Sequence, residues 1–519
     1  MSERLLIIGW DGADWEILDD LMHFGCLPNI ESMLQGGARG TLLSTIPDHS
    51  WAAWSTFLTG LNPGGHGVFD FVERDPVEPQ RRIPVSSGSI KAETFFERLS
   101  RAGHEIRAAN VPVTYPPFQI RGRMISGITI PHGQTFVYPR DFGPELERRA
   151  PFPTNGMEWT QFRDHPQDLI DEARSFIERR TASFEVLLEG NWKVATCVYI
   201  ASDRLQHAFG AYLLPTHPDH ARLRDTPLAA SIRDVYRLLD HQIERLREAA
   251  GPETTAVLIS DHGFGPVNRA SNLNQVLCKL GMATPTRTGG ATTSLRRSAL
   301  WRTLGTRSIG YAIKRRARAP ATLDWSKTMA YRSSHGGGVS INLKGREVKG
   351  IVDARDYERV RQEVREALLG FKDAGGDSPV AEVLLREELY SGDHIDLAPD
   401  LLVRPTSLWT LTYTDAAASV TDWPTGDHRR TGVVLAAGGR TMPGELGQRD
   451  LADMSATALA FCGVPASAQN GSAIEEIAGR SDGNGRVPST REQRRQTQAL
   501  TQQDENQIAD HLRNLGYIE

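Results

Sequence analysis

Cysteine is scarce in this chain of 519 residues: Cys26, Cys197, Cys278 and Cys462 lie far apart and form no CxxC pair. That spacing argues against a disulfide framework and a thiolate zinc site, and it fits a reducing compartment. Positive charge is not in excess either. Lys and Arg number 59 against 64 Asp and Glu, for a net charge of −5, so no global basic field points to a nucleic-acid polymer or an anionic surface. No apolar run approaches the roughly 18–20 residues that span a bilayer, and membrane insertion is not expected. The opening MSERLLIIGWDG has only a few apolar residues and no small-residue cleavage site, so a cleaved signal is not expected. These absences point to a cytoplasmic protein with a small-molecule partner. They leave its oligomeric state open.

What is present is an alternation of two periodicities. Short apolar, β-branched runs occur at LLIIGW (5–10), ATCVYI (195–200), AVLIS (256–260) and GVVLAAG (432–438). They are continuous rather than alternating, as strands buried on both faces require. Helix-period segments lie between them, at 53–61, 92–102, 168–188 and 229–250. The pattern predicts an α/β fold, a doubly wound and mostly parallel sheet with helices on both faces. One catalytic body over 1–475 is expected, carrying cap insertions at about 131–190 and 285–320. The second insertion is locally basic and reads as a solvated flap rather than a binding element. From 476 the chain turns polar and reads as a linker ending in a docked helix.

Ligands of open α/β sheets bind at the carboxyl ends of the strands. Acidic residues and histidines recur there: Asp11-Gly12 after the first run, Asp203 and His207 after the second, Asp261-His262-Gly263 after the third, and Asp427-His428 just before the fourth. Each pair alone reads more readily as a turn; their joint placement makes the case. Asp and neutral His suit zinc or another first-row divalent ion, and two such ions serve phosphoryl displacement. If Asp203 opens a helix, His207 at i+4 shares its face and the two can chelate one ion. Asp427 and Arg429 read as groups beside the ligands, with Asp427 placed to orient His428.

The ordered phrases IIGWDG, LPNIESMLQGGARG, SWAAWSTFLTGLNPGGHGVFDF, ASDRLQH, SDHGFG and GDHRRTGVVLAAG resemble the type I phosphodiesterase/nucleotide pyrophosphatase branch of the alkaline phosphatase superfamily. The resemblance covers most of residues 1–465. It implies an alkaline phosphatase-like fold and a two-metal phosphoester hydrolase working through a covalent phosphoserine. In that family the nucleophile lies nine residues before the Thr of a Thr-Gly pair, and counting back from Thr59 lands on Ser50. Thr45, followed by Ile46-Pro47, mimics the family's nucleophile phrase but lies fourteen residues before Thr59, so Ser50 is preferred. Ser50 would also cap the helix starting near Ala53, where free N–H groups favour an anion. By the same resemblance, Asp203, His207 and His428 hold one ion, and Asp11, Asp261, His262 and Ser50 hold the other. The ligand set favours zinc, with manganese as the alternative.

Departures from the family pattern bear on the substrate. Ala53 stands where the nucleotide pyrophosphatases place an Asn, and Ala52 stands where alkaline phosphatases place an Arg; the sulfatase maturation motif is missing. A diester or phosphoanhydride is the preferred substrate. The alternatives are a phosphomonoesterase or phosphonate hydrolase, a phosphotransferase or mutase, and a non-catalytic binding module. Trp51 and Trp54 read as core before substrate wall, His49 as a neighbour of the nucleophile, His66 as structural, and His335 as part of a tight turn before the strand VSINL.

Overall fold

The computed structural model describes residues 3–75, 81–162, 165–286, 323–412, 425–466, 470–479, 500–515 and 517–518. The apolar runs form the middle of a nine-stranded sheet. Its order is Gly444–Asp450, Ala38–Leu43, Thr431–Ala437, Thr254–Ile259, Arg4–Trp10, Val194–Tyr199, Ile106–Ala109, Gly122–Ile125 and Val137–Tyr138. Arg4–Trp10 lies parallel to both of its neighbours. Thr431–Ala437 runs antiparallel to both of its own, and Val137–Tyr138 is an antiparallel edge. The remaining pairings are parallel, so the sheet is mostly parallel, as the apolar runs predict.

Successive side chains of a strand point to opposite faces. Trp10 meets Tyr236 of the helix Pro227–Ala250, with ring centroids 6.3 Å apart, while a Cβ on Gly9 would stand 2.7 Å from Trp54 of the helix Ser50–Thr59. The two helices therefore cover opposite faces, and the missing side chain of Gly9 lets the second lie close. Pro166–Leu187 packs beside Pro227–Ala250, and Phe95–Arg101 and Asp453–Phe461 pack beside Ser50–Thr59.

One expectation is corrected. Ser50 is not the helix cap; the helix starts at Ser50, and His49 is the cap residue. His49 has extended backbone (φ −106°, ψ 154°), and its Nδ1 accepts the Ala52 N–H at 3.4 Å. Because a histidine ring satisfies that orphan donor, the Ser50 hydroxyl is free to face the sheet.

The described residues between 273 and 412 build a second hydrophobic core, with Leu273, Val339, Ile341, Val364 and Leu401 at its centre. It holds a four-stranded sheet in the order Ala330–Arg332, Gly338–Ile341, Leu401–Pro405, Val380–Leu385. Gly263–Asn272 pairs in parallel with Leu408–Thr412 and antiparallel with Gly426–Arg429. Within the stretch 131–190, Val137–Tyr138 joins the main sheet and Pro166–Leu187 joins its helical layer. Of the basic stretch 285–320, all but residues 285–286 lie outside the described residues, as do 480–499 of the polar linker. The terminal helix Gln502–Asn514 docks on the body: His511 Nδ1 lies 3.1 Å from Glu158 Oε1, and the His132 N–H donates to Gln507 Oε1 at 2.7 Å. No helix among the described residues is long and apolar enough to cross a membrane.

Candidate metal centre

Three adjacent parallel strands deliver their carboxyl ends side by side. Asp11 follows Arg4–Trp10, and Asp261 and His262 follow Thr254–Ile259. Asp203 lies in the first turn of the helix Ala201–Leu213, just beyond Val194–Tyr199, and His207 is one turn further on. The fourth contribution comes from antiparallel pairing. Gly263 sits opposite Arg429 and Phe264 opposite His428, so the antiparallel partner strand carries His428 over His262, with ring centroids 3.8 Å apart.

The expected ligands lie in two adjoining sets, which meet where one ligand atom each of Asp203, His262 and His428 lie within 4.8 Å of one another. In the first, His207 Nε2 is 3.0 Å from His428 Nε2 and 3.4 Å from Asp203 Oδ1, and His428 Nε2 is 3.2 Å from the same oxygen. In the second, His262 Nε2 is 3.4 Å from Asp11 Oδ1, 3.4 Å from Asp261 Oδ2 and 3.4 Å from Ser50 Oγ, and Ser50 Oγ is 3.3 Å from Asp11 Oδ1. Nitrogen and oxygen ligands about 2.0–2.1 Å from a tetrahedral ion are about 3.3–3.4 Å from one another. The second set has that edge length throughout its measured separations, and the first comes close.

The protons tell the same story. His262 Nδ1 lies 3.1 Å from the Gly263 carbonyl and His207 Nδ1 lies 3.3 Å from the Gly426 carbonyl. A carbonyl only accepts, so each Nδ1 is assigned the proton, and each Nε2 lone pair then faces carboxylate oxygens. Asp261 Oδ1 accepts the Gly12 N–H at 3.2 Å, but Oδ2, buried and aimed at His262, has no hydrogen-bond partner. Gly12 reaches this position at φ +74°, where a Cβ would strike Phe264. Converging acceptors with an orphaned carboxylate oxygen fit a divalent cation.

Titration reflects the same crowding. Burial, then the Asp261 and Asp203 carboxylates, hold Asp11 well above the usual carboxylate range. Burial and Asp203 push Asp261 up to about 7. Burial opposes ionisation of Asp203 too, yet His207, His428 and Arg204 outweigh it and hold that carboxyl low. Burial lowers His207 to about 4. His428 rises to about 9: burial works against this, but the hydrogen bond and charge of Asp203 dominate. Without a cation, protons must neutralise the cluster; a cation takes their place.

The other singled-out residues sort cleanly. Trp51 and Trp54 are fully buried in the main core, as expected, but Trp54 Nε1 also donates to Asp11 Oδ2 at 2.9 Å, which composition gave no reason to foresee. His49 stacks on Phe71. His66 Nε2 pairs with Thr56 Oγ1 at 3.0 Å while its Nδ1 accepts the Val68 N–H, the structural role expected of it. His335 precedes the strand Gly338–Ile341, and its N–H donates to Asp70 Oδ2 at 3.0 Å. Thr45 Oγ1 turns to the Ile46 carbonyl. Asp427 comes within ligand reach: one of its oxygens and an atom each of His207 and His428 lie within 4.8 Å of one another. It also accepts the His428 N–H at 2.9 Å and the Thr410 hydroxyl. Arg429 turns its guanidinium to backbone carbonyls, of His428 at 2.7 Å and of Pro266 at 3.3 Å. Two contacts had no sequence signal: Trp159 stacks on His207 at 5.3 Å, and Tyr517 reaches Asp203 from the chain's far end.

The sequence pattern described as type I phosphodiesterase / nucleotide pyrophosphatase matches residues 5–429. No curated protein sequence matches the chain. Among solved structures, murine ectonucleotide pyrophosphatase/phosphodiesterase 5 aligns with 15% identity over 90% of this chain and 97% of its own, at a TM-score of 0.51. An inactive form of that murine protein in complex with AMP aligns with 14% identity over 92% of this chain and 100% of its own, at 0.53. Phosphonoacetate hydrolase from Sinorhizobium meliloti 1021 in complex with phosphonoformate aligns with 16% identity over 85% of this chain and 90% of its own, also at 0.53. At such identities these likenesses concern the fold.

Proposed function

The chain belongs to the type I phosphodiesterase/nucleotide pyrophosphatase family, and on that premise we propose that it is a two-metal phosphodiesterase whose nucleophile is Ser50. Metal-dependent phosphoester hydrolysis follows from the family and from the candidate ligand groups. The finer reading rests on one observation above all: Ser50 Oγ stands 3.3 Å from Asp11 Oδ1 and 3.4 Å from His262 Nε2, at the corner of an acceptor set with tetrahedral spacing. Asp203, His207 and His428 would hold one ion and Asp11, Asp261, His262 and Ser50 the other, with zinc favoured over manganese by the nitrogen and oxygen donors. When bound, such ions lower the pKa of a hydroxyl or water and offset charge on the phosphoryl oxygens.

The chain's own residues account for the rest. Ser50 is the first residue of its helix, so a phosphoryl group on its Oγ lies by N–H groups that precede the first intrahelical bond, from Ala53 to His49. The Ser50 hydroxyl gives up its proton as Oγ bonds to phosphorus and the bond to the leaving oxygen breaks, and the leaving group departs as its alcohol or acid with one proton; water oxygen then bonds to phosphorus, the Oγ–P bond breaks, and a proton of that water restores the hydroxyl. Ala52 and Ala53 supply no polar side chain to grip further phosphoryl oxygens. A diester carries one negative charge where a monoester carries up to two, so this helix suits a diester or phosphoanhydride. AMP in a structural neighbour supports a small nucleotide-like substrate rather than a nucleic-acid polymer. The four free thiols support a reducing, cytoplasmic setting.

The test is elemental analysis of the purified protein beside hydrolysis of bis(p-nitrophenyl) phosphate, p-nitrophenyl phosphate and phosphonoacetate, with and without chelator. About two ions per chain and chelator-sensitive preference for the diester are expected. Preference for the monoester or the phosphonate would move the substrate class, and transfer to an added alcohol would mark a phosphotransferase. Failure to bind metal under any loading would overturn the reading.

A further inference from the structure

Tyr517 lies 314 positions after Asp203 and is 3% exposed. Its ring stacks on Phe71, with centroids 4.4 Å apart and planes 9° from parallel, and it meets Trp51 edge-on at 6.0 Å. Its hydroxyl donates to Asp203 Oδ2 at 3.2 Å and accepts from Arg204 Nη1. Arg204, itself buried, also reaches Asp203 Oδ2, at 3.1 Å. The carboxylate is thus divided: Oδ1 faces His207 and His428 at 3.4 and 3.2 Å, and Oδ2 is held by Tyr517 and Arg204.

We propose that Tyr517 is a positioning residue for Asp203, so that metal affinity at the site depends on a side chain 314 positions further along the chain. The proposal rests on Asp203 being a metal ligand. A carboxylate held at one oxygen only can turn about its last torsion and exchange the oxygen it offers; a donor on the other oxygen removes that freedom. Loss of such outer hydrogen bonds costs a metal site about 10–100-fold in affinity. Arg204 Nη1 reaches both Asp203 Oδ2 and the Tyr517 oxygen, so the phenol also helps to place the second donor.

The tail is anchored apart from this contact. Thr501 and Asp504 form a capping box at the start of the helix Gln502–Asn514, and His511 with Glu158, Gln507 with the His132 N–H, and Thr160 with the Asn514 carbonyl hold it to the body. Removing the Tyr517 hydroxyl while keeping its ring therefore leaves the tail docked.

The experiment compares full-length wild type, Tyr517→Phe, Tyr517→Ala and Asp203→Asn. Zinc affinity is measured by competition with a chromophoric chelator, coordination by the visible spectrum of the Co²⁺-loaded protein, tail docking by limited proteolysis, and kcat and KM with bis(p-nitrophenyl) phosphate. Tyr517→Phe is expected to weaken binding at one site about 10-fold, to shift the Co²⁺ spectrum, and to lower kcat with KM unchanged, while the tail stays protected. Tyr517→Ala should lose at least as much. If Tyr517→Phe matches wild type in affinity and spectrum while Asp203→Asn loses an ion, the hydroxyl has no such role and the proposal fails alone. If Tyr517→Ala raises kcat/KM, the ring fills a substrate position and the proposal is overturned. If Asp203→Asn binds both ions as tightly as wild type, the ligand assignment fails, and the proposal with it.

Discussion

Ser50 and Trp54, one helical turn apart, divide the two oxygens of Asp11 between them: the serine hydroxyl donates to Oδ1 at 3.3 Å and the indole N–H to Oδ2 at 2.9 Å. The helix that presents the proposed nucleophile thereby also orients a proposed ligand, and a tryptophan that burial alone would explain makes a polar contact. Trp54→Phe keeps most of the core volume but removes the donor. We expect metal affinity at the second ligand set to fall about 10-fold with little change in the far-ultraviolet circular dichroism spectrum. Chelator competition checks it, and an unchanged affinity would assign Trp54 to packing alone.

Ser50→Ala should lower kcat by at least about 10³-fold while bound metal stays near the wild-type amount, because Asp11, Asp261 and His262 remain. Thr45→Ala should stay close to wild type, since Thr45 turns to the Ile46 carbonyl. The reverse pattern, with Thr45→Ala dead and Ser50→Ala active, would show that the nucleophile had been placed in the wrong register.

Asp261→Ala and His428→Ala act on the two proposed ligand sets, so each should cost about one ion per chain by elemental analysis. The pair also tests whether the sets are separate, because a shared single ion would make either substitution remove all bound metal.

Stripping the metal should destabilise the fold as well as stop turnover. Asp11 and Asp261, both pushed up by burial and by neighbouring carboxylates, face no cation in the stripped protein. Ligand linkage gives about 2.7 kcal/mol at a free metal concentration a hundred times Kd. Thermal unfolding with graded zinc should show the midpoint rising with concentration; a midpoint indifferent to metal would count against the site.

Asp400 offers a test of stability away from the centre. It is buried and accepts from Arg346 at 2.6 and 2.7 Å, from Tyr357 at 2.6 Å and from the Ile341 N–H at 2.7 Å. Burial opposes its ionisation, but Arg346 and Tyr357 prevail and its pKa lies below the usual value. A depressed folded pKa contributes stability above the unfolded pKa that is lost as pH falls through the folded one. Asp400→Asn should therefore cost about 2 kcal/mol near neutrality, allowing for partial exposure of Arg346, and the gap to wild type should narrow below about pH 4. Urea unfolding at several pH values measures it. A gap constant with pH would assign the loss to shape.

The helix predicted at 53–61 illustrates what periodicity misses. Its apolar spacing places the body correctly, but the start is set by His49, whose ring nitrogen caps the helix. Histidine is not a standard cap residue, so periodicity puts the boundary three residues late and makes Ser50 the cap rather than the first helical residue. The described residues between 273 and 412 show a second limit. Their core packs short strands against the helix Tyr357–Gly370, and none of those strands makes an apolar run as long as the four runs that predict the main sheet.

The sequence by itself determined which chemistry stands at the rim of the sheet. Apolar runs must be buried, a buried parallel strand must end in a polar turn, and here those turns carry Asp11, Asp203, Asp261 and His262. Only the tertiary structure decided which atoms face one another. The tautomers of His207 and His262, the orphaned Asp261 Oδ2, the indole of Trp54 on Asp11 and the phenol of Tyr517 on Asp203 depend on packing between segments brought together by the fold. Periodicity records which face of an element is buried; it does not record which distant side chain arrives there, and that arrival sets the shape and charge of the site.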